Sequence, residues 1–167
     1  MNLKSLPAYS VLALALLAGL SHADGKHDDD IGKPGSASQA VRTVQIDMSD
    51  AMRFTPSSID VRQGETVRFV VKNSGKVKHE MVLGTEKALK AHDELMTRNP
   101  GMEHADENMV TVAPGKTGEI VWQFTKAGRI EFACLQPGHL DAGMKGAVTV
   151  SAGVSTPKDG GHADHKH

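Results

Sequence analysis

Between residues 41 and 150, apolar and polar positions alternate in short runs, each closed by turn-forming residues. Val44, Ile46 and Met48 form one such run, Ile59 and Val61 a second, and Val67, Phe69 and Val71 a third. Further runs cover 77–83, 109–112, the set Ile120, Trp122 and Phe124, then 130–134 and 147–150. A period of two sends alternate side chains to opposite faces, which is the pattern of half-buried strands. Gln63-Gly64, Asn73-Ser74-Gly75, Pro114-Gly115 and Ala127-Gly128 separate the runs, with glycine opening backbone conformations that other residues avoid. Seven or eight such strands predict an all-β domain, a two-sheet Greek-key β-sandwich. Segment 86–98 departs from the pattern. It is rich in helix formers, carries Leu89, Leu95 and Met96, and stops before Asn99-Pro100-Gly101, which predicts one short surface helix inserted between two strands.

The ends read differently. Residues 24–40 are polar, rich in Asp, Gly, Ser and His, and lack an apolar period, so they are expected to form a flexible arm. Residues 151–167 end in Gly160-Gly161-His162-Ala163-Asp164-His165-Lys166-His167 and are expected to be a disordered, His-rich tail. Residues 1–23 carry Lys4, an apolar stretch over 11–20 and the small-residue site Ser21-His22-Ala23, the pattern of a secretory signal peptide cut after Ala23. That stretch is shorter than the roughly 20 apolar residues of a membrane span, although a retained N-terminal anchor is the alternative. The expectation is a periplasmic, monomeric mature protein without a membrane span, folded over 41–150.

Charge narrows the partners. Cleavage would remove one Lys and no acidic residue, leaving 18 basic against 20 acidic side chains and a net charge of −2 with His neutral. Such a balance gives no electrostatic basis for binding nucleic acid or an acidic membrane surface. Cysteine usage is more informative. The chain has a single cysteine, Cys134, so no internal disulfide can form. An unpaired thiol in an oxidising compartment is open to oxidation and cross-linking, and a bound metal would both protect it and use it.

The chemistry concentrates after the strand over 130–134. Cys134 is followed by His139 and then Met144, each five residues on, so one loop holds a thiol, an imidazole and a thioether. Pro137-Gly138 and Gly143 can bend the loop enough for the three to converge. Two imidazoles, a thiolate and a weak axial thioether make up the ligand set of a blue-copper site. The second imidazole must come from elsewhere, and His79, in the strand-like run after Asn73-Ser74-Gly75, is the leading candidate. His92 in the predicted helix and His104 in the following insert compete with it.

With its Cys-x4-His-x4-Met loop, Pro-Gly bend and Gly143-Met144-Lys145-Gly146 element, the chain resembles the cupredoxins, or type 1 copper proteins, over residues 41–150. The loop spacing is similar to that of rusticyanin and auracyanin. The insert Met102-Glu103-His104 and the His-bearing ends resemble periplasmic cupredoxins associated with copper tolerance. The resemblance implies a single copper ion with His79, Cys134 and His139 as strong equatorial ligands and Met144 as the weak axial one. It also marks a departure: the residue after the first His, often a small polar side chain that braces the Cys loop, is here Glu80.

Bland readings stand beside these. A lone Cys at a strand end is by itself a common core residue, and a strand His can be a satisfied core group. Met102, His104 and Met109 read either as packing and surface residues or as a weak second copper site, and the His-bearing ends either as solvated tails or as loose metal binders. Zinc fits less well, because structural zinc sites usually offer two or more Cys. No nucleophile-bearing helix or orienting Asn/Asp motif accompanies Cys134, and the His-x-His pairs of multicopper enzymes are absent between 41 and 150, so an enzyme is not expected. The first functional expectation is a carrier of single electrons. It would meet a transient redox partner, such as a c-type cytochrome or an oxidase, near His139, across an apolar surface of Leu135, Pro137, Leu140, Ala142 and Gly143 rimmed by Lys72, Lys76, Lys78 and Lys145. The alternative is copper tolerance, in which the same site sequesters, oxidises or delivers copper.

Overall fold

A computed structural model of the chain describes residues 31–102 and 105–153. The predicted signal peptide, residues 24–30 of the arm, Glu103, His104 and nearly all of the His-rich tail lie outside the described residues. Ten strands and one helix follow in order: β1 (Lys33–Pro34), β2 (Arg42–Ser49), β3 (Arg53–Thr55), β4 (Ser58–Arg62), β5 (Thr66–Asn73), β6 (His79–Gly84), α1 (Glu86–Arg98), β7 (Met109–Val112), β8 (Thr117–Gln123), β9 (Gly128–Ala133) and β10 (Lys145–Ser151). One sheet runs β1-β8-β5-β2-β3 and the other β4-β10-β9-β6-β7, an all-β sandwich with one inserted helix. Among the described residues no helix is long and apolar enough to cross a membrane.

Each of the eight runs of alternation coincides with a strand. The two additional strands are the short β1 and β3. The strand β1 bears on the domain's lower edge: residues 31–35, expected to belong to a flexible arm, lie against the sandwich, while 36–39 are exposed. Lys33 and Pro34 pair antiparallel with Gln123 and Trp122 of β8. Ile31 is buried, and its carbonyl accepts the indole N–H of Trp122 at 2.8 Å. One apolar side chain and one satisfied indole are enough to dock this segment, and neither produces a periodic pattern.

The core lies between the sheets. Ile46 and Met48 of β2, Phe69 and Val71 of β5, Ile120 and Trp122 of β8, and Ile130 and Phe132 of β9 are all buried there. Edge-to-face pairs stiffen it: Phe54 with Phe132 at 5.0 Å and Phe69 with Phe124 at 6.1 Å between ring centroids.

The strand β6 is buried along its whole length, so its sequence does not alternate cleanly. It lies between β9 and β7, with Met81 and Leu83 facing the sandwich core. On its other face Val82 packs with Leu89 of α1, Met109, Ala133 and Leu135 in a second apolar cluster. The helix begins at Thr85, whose hydroxyl accepts the Ala88 N–H at 3.1 Å, and it buries Leu89 and Met96 while Leu95 stays largely exposed. The helix thus covers the outer face of the sheet beside the candidate site.

Candidate metal centre

Three donor atoms converge at one end of the sandwich. His79, Cys134 and His139 each present a ligand atom, all within 4.8 Å of one another. Cys134 Sγ lies 3.2 Å from His139 Nδ1 and 3.9 Å from His79 Nδ1, and the two imidazole Nδ1 atoms are 3.2 Å apart. The rings are tilted by 53° with centroids 4.9 Å apart, so both direct the same nitrogen toward the sulfur. His79 opens β6 on the face of Met81 and Leu83, and Cys134 follows the end of β9 on the face of Ile130 and Phe132. Both therefore point into the sandwich.

The loop brings the other two groups to them. Gly138 at φ 79° and Gly143 at φ 87° supply left-handed backbone at the two bends. Between them, His139 N–H donates to the Gln136 carbonyl at 2.9 Å, Ala142 N–H to Gly138 at 3.1 Å and Gly143 N–H to Leu140 at 2.9 Å. The loop closes where Met144 N–H donates to the His139 carbonyl at 3.0 Å and Cys134 N–H to the Met144 carbonyl at 3.1 Å. Met144 is buried in the same apolar cluster as Cys134. Arg53 on β3 supports the loop from outside, its guanidinium 3.3 Å from the Ala142 carbonyl.

Glu80 takes the bracing role that the sequence left in doubt. Its carboxylate is buried and accepts the Leu135 N–H at 3.1 Å and the Gln136 side-chain amide at 3.0 Å, while its own N–H points at Cys134 Sγ from 3.4 Å. The longer side chain spans the gap from β6 to the ligand loop and ties down both residues that follow the cysteine. Asp50, which carries no sequence signal, also reaches the site, with Oδ1 3.1 Å from His79 Nε2.

Burial dominates the electrostatics. It pushes the Cys134 thiol up to about 12, against the opposing pull of the Glu80 and Gln136 N–H groups. Burial also holds His139 below the usual imidazole range, helped by the neighbouring His79. Burial thus favours the neutral forms of the Cys134 thiol and the His139 imidazole, so metal binding must take the thiol proton. A buried thiol, one buried and one partly exposed imidazole and a nearby buried thioether fit a single type 1 copper site; one cysteine without a second is a poor zinc set.

The rival histidines separate clearly. His92 lies in α1, outside the converging group, and His104 lies outside the described residues. Met102 and Met109 come together with Met96, Glu80, Thr111, Gln136 and Lys78 around a cavity of about 140 Å³ beside the site. Leu135, expected on an apolar docking surface, instead points inward, because the residue after Cys134 falls on the α1 side of the sheet. Pro137 and Ala142 are exposed and Leu140 is half-buried, leaving a smaller apolar surface around His139.

Among curated relatives, a copper-resistant cuproprotein CopI of Rubrivivax gelatinosus is 58% identical over 135 residues, covering 79% of this chain and 82% of the relative. A CopI of Pseudomonas aeruginosa is 41% identical, covering 87% of this chain and 96% of the relative. Solved structures share the fold: auracyanin B superposes with a TM-score of 0.60 at 22% identity, over 73% of this chain and 99% of that one. The auracyanin of Roseiflexus castenholzii gives 0.58 at 24% identity, over 67% and 98%. The family model for copper-binding proteins of the plastocyanin/azurin type matches residues 40–151, a stretch that holds all four expected ligands. By fold, by donor set and by descent, then, the chain belongs to the plastocyanin/azurin family of copper-binding proteins, the cupredoxins.

Proposed function

We propose that the protein is a periplasmic copper-tolerance cupredoxin, a binder rather than an enzyme, holding one copper ion through His79, Cys134 and His139 with Met144 as the weak axial ligand. The observation that carries this reading is the convergence of one buried thiol and two imidazole Nδ1 atoms next to buried Met144. The copper-resistant cuproproteins among the relatives and the methionine-lined cavity beside the site support a role in copper handling. Copper in such a site supplies a one-electron Cu(II)/Cu(I) couple. The protein supplies the rest: Cys134 gives up its proton on binding, the Glu80 and Gln136 N–H groups stabilise the resulting thiolate, and the α1 cover and the core exclude water. The soft sulfur donors favour Cu(I).

Electron carriage between redox partners is the second reading, favoured by the partial exposure of His139 among Pro137, Leu140 and Ala142. Lys72, Lys76, Lys78 and Lys145, all exposed, would steer an acidic partner there. A deletion strain grown in rising copper separates the two. Lost tolerance that wild-type protein restores and Cys134→Ala does not supports copper handling. Undiminished tolerance with slowed oxidation of a periplasmic c-type cytochrome supports the carrier.

A further inference from the structure

Asp50 stands in the turn after β2, outside the ligand loop, yet its carboxylate is fully engaged. Oδ2 accepts the Lys76 N–H at 2.7 Å, and Oδ1 accepts the Val77 N–H at 3.4 Å while lying 3.1 Å from His79 Nε2. The segment leading into His79 is held from its other side by buried Asn73. The Asn73 side-chain amide donates to the carbonyls of Val77 at 2.8 Å and Val112 at 2.9 Å, and its oxygen accepts the Gly75 N–H at 2.9 Å. Gly75 makes room for the arrangement: a Cβ there would stand 2.0 Å from Asp50 Oδ1 and 2.8 Å from its Cγ. The carboxylate occupies space that only glycine leaves open.

At neutral pH a carboxylate only accepts hydrogen bonds, so His79 Nε2 is the donor of this pair. In a neutral imidazole the other nitrogen then carries the lone pair, and that nitrogen, Nδ1, faces Cys134 and His139. We infer that Asp50 is a positioning residue for the copper centre: it fixes His79 as the Nε2–H tautomer with Nδ1 toward the metal, and its charge makes the ring a stronger donor that favours Cu(II). The effect on copper rests on the proposed function; the tautomer does not.

Long-range proton–nitrogen NMR of the metal-free protein tests the first part. Wild type should show His79 as the Nε2–H tautomer, and Asp50→Ala should show a mixture. With Cu(II) added, Asp50→Ala should bind about 10-fold or more weakly and show a raised reduction potential. Asp50→Asn, which keeps an acceptor oxygen of the same outline without the charge, should restore the tautomer and most of the affinity but not the potential. An unchanged tautomer in Asp50→Ala overturns the inference. Should the alanine variant fail to fold, Asp50→Asn decides alone, and a wild-type potential there overturns the role of the charge. Absence of a copper–thiolate absorption in wild type would instead defeat the copper reading and leave the tautomer test standing.

Discussion

The N–H of Glu80 lies 3.4 Å from Cys134 Sγ while the carboxylate of the same residue accepts the N–H of Leu135 at 3.1 Å, so one residue of β6 holds both the ligand sulfur and the peptide that follows it. Replacing Glu80 with Ala leaves the buried Leu135 N–H without its acceptor, a loss of about 1–3 kcal/mol. Urea denaturation of the metal-free protein should show it, with Glu80→Gln retaining most of the stability because its amide oxygen can still accept. Equal loss in both variants would mean that the charge, not the hydrogen bond, is what matters.

Gly146 closes the Gly-Met-x-Gly element for a reason different from Gly143. A Cβ on Gly146 would stand 2.3 Å from the Phe132 ring and 2.6 Å from the Ser57 carbonyl, where β10 crosses the core. Gly146→Ala should therefore destabilise the protein by roughly 1–3 kcal/mol through overpacking. A shift of the denaturation midpoint at unchanged slope is the expected readout.

Much of this was legible in advance, and the exceptions share a cause. Alternation located eight strands because each of those strands has residues that face the core at every second position, as Val67, Phe69 and Val71 do on β5. It could not locate β1, which docks through Ile31 and the Trp122 indole, or the full burial of β6, which depends on α1 lying across it. The spacing of Cys134, His139 and Met144 made the ligand loop readable, since those residues sit within one loop. His79, on β6, could be named from sequence only as the leading candidate over His92 and His104, whereas Asp50, in the turn after β2, left no local pattern because its contact with His79 spans a long sequence separation. Glu80 was visible as a departure, but only the distance from β6 to Leu135 reveals that its extra length serves the brace.

The raised thiol gives a pH dependence with a definite sign. In the unfolded chain Cys134 ionises near its ordinary value of about 8.5, whereas in the folded metal-free protein it stays protonated up to about 12. Between those values the unfolded state binds fewer protons, so stability falls as pH rises, by at most about 1.4 kcal/mol per pH unit from this group. Denaturation at pH 8 and pH 10 should show a steeper decline in wild type than in Cys134→Ala. Parallel declines would place the thiol in a more polar setting than its burial indicates.

In the proposed site copper is held by Cys134 together with His79 and His139. The direct measurement is the visible spectrum of the protein loaded with Cu(II), repeated with Cys134→Ala and His79→Ala. We predict an intense thiolate-to-copper absorption in wild type that is absent from the Cys134 variant and lost or strongly altered in the His79 variant. A weak band of nitrogen and oxygen ligation, unchanged by either substitution, would contradict the account and put the copper elsewhere on the chain.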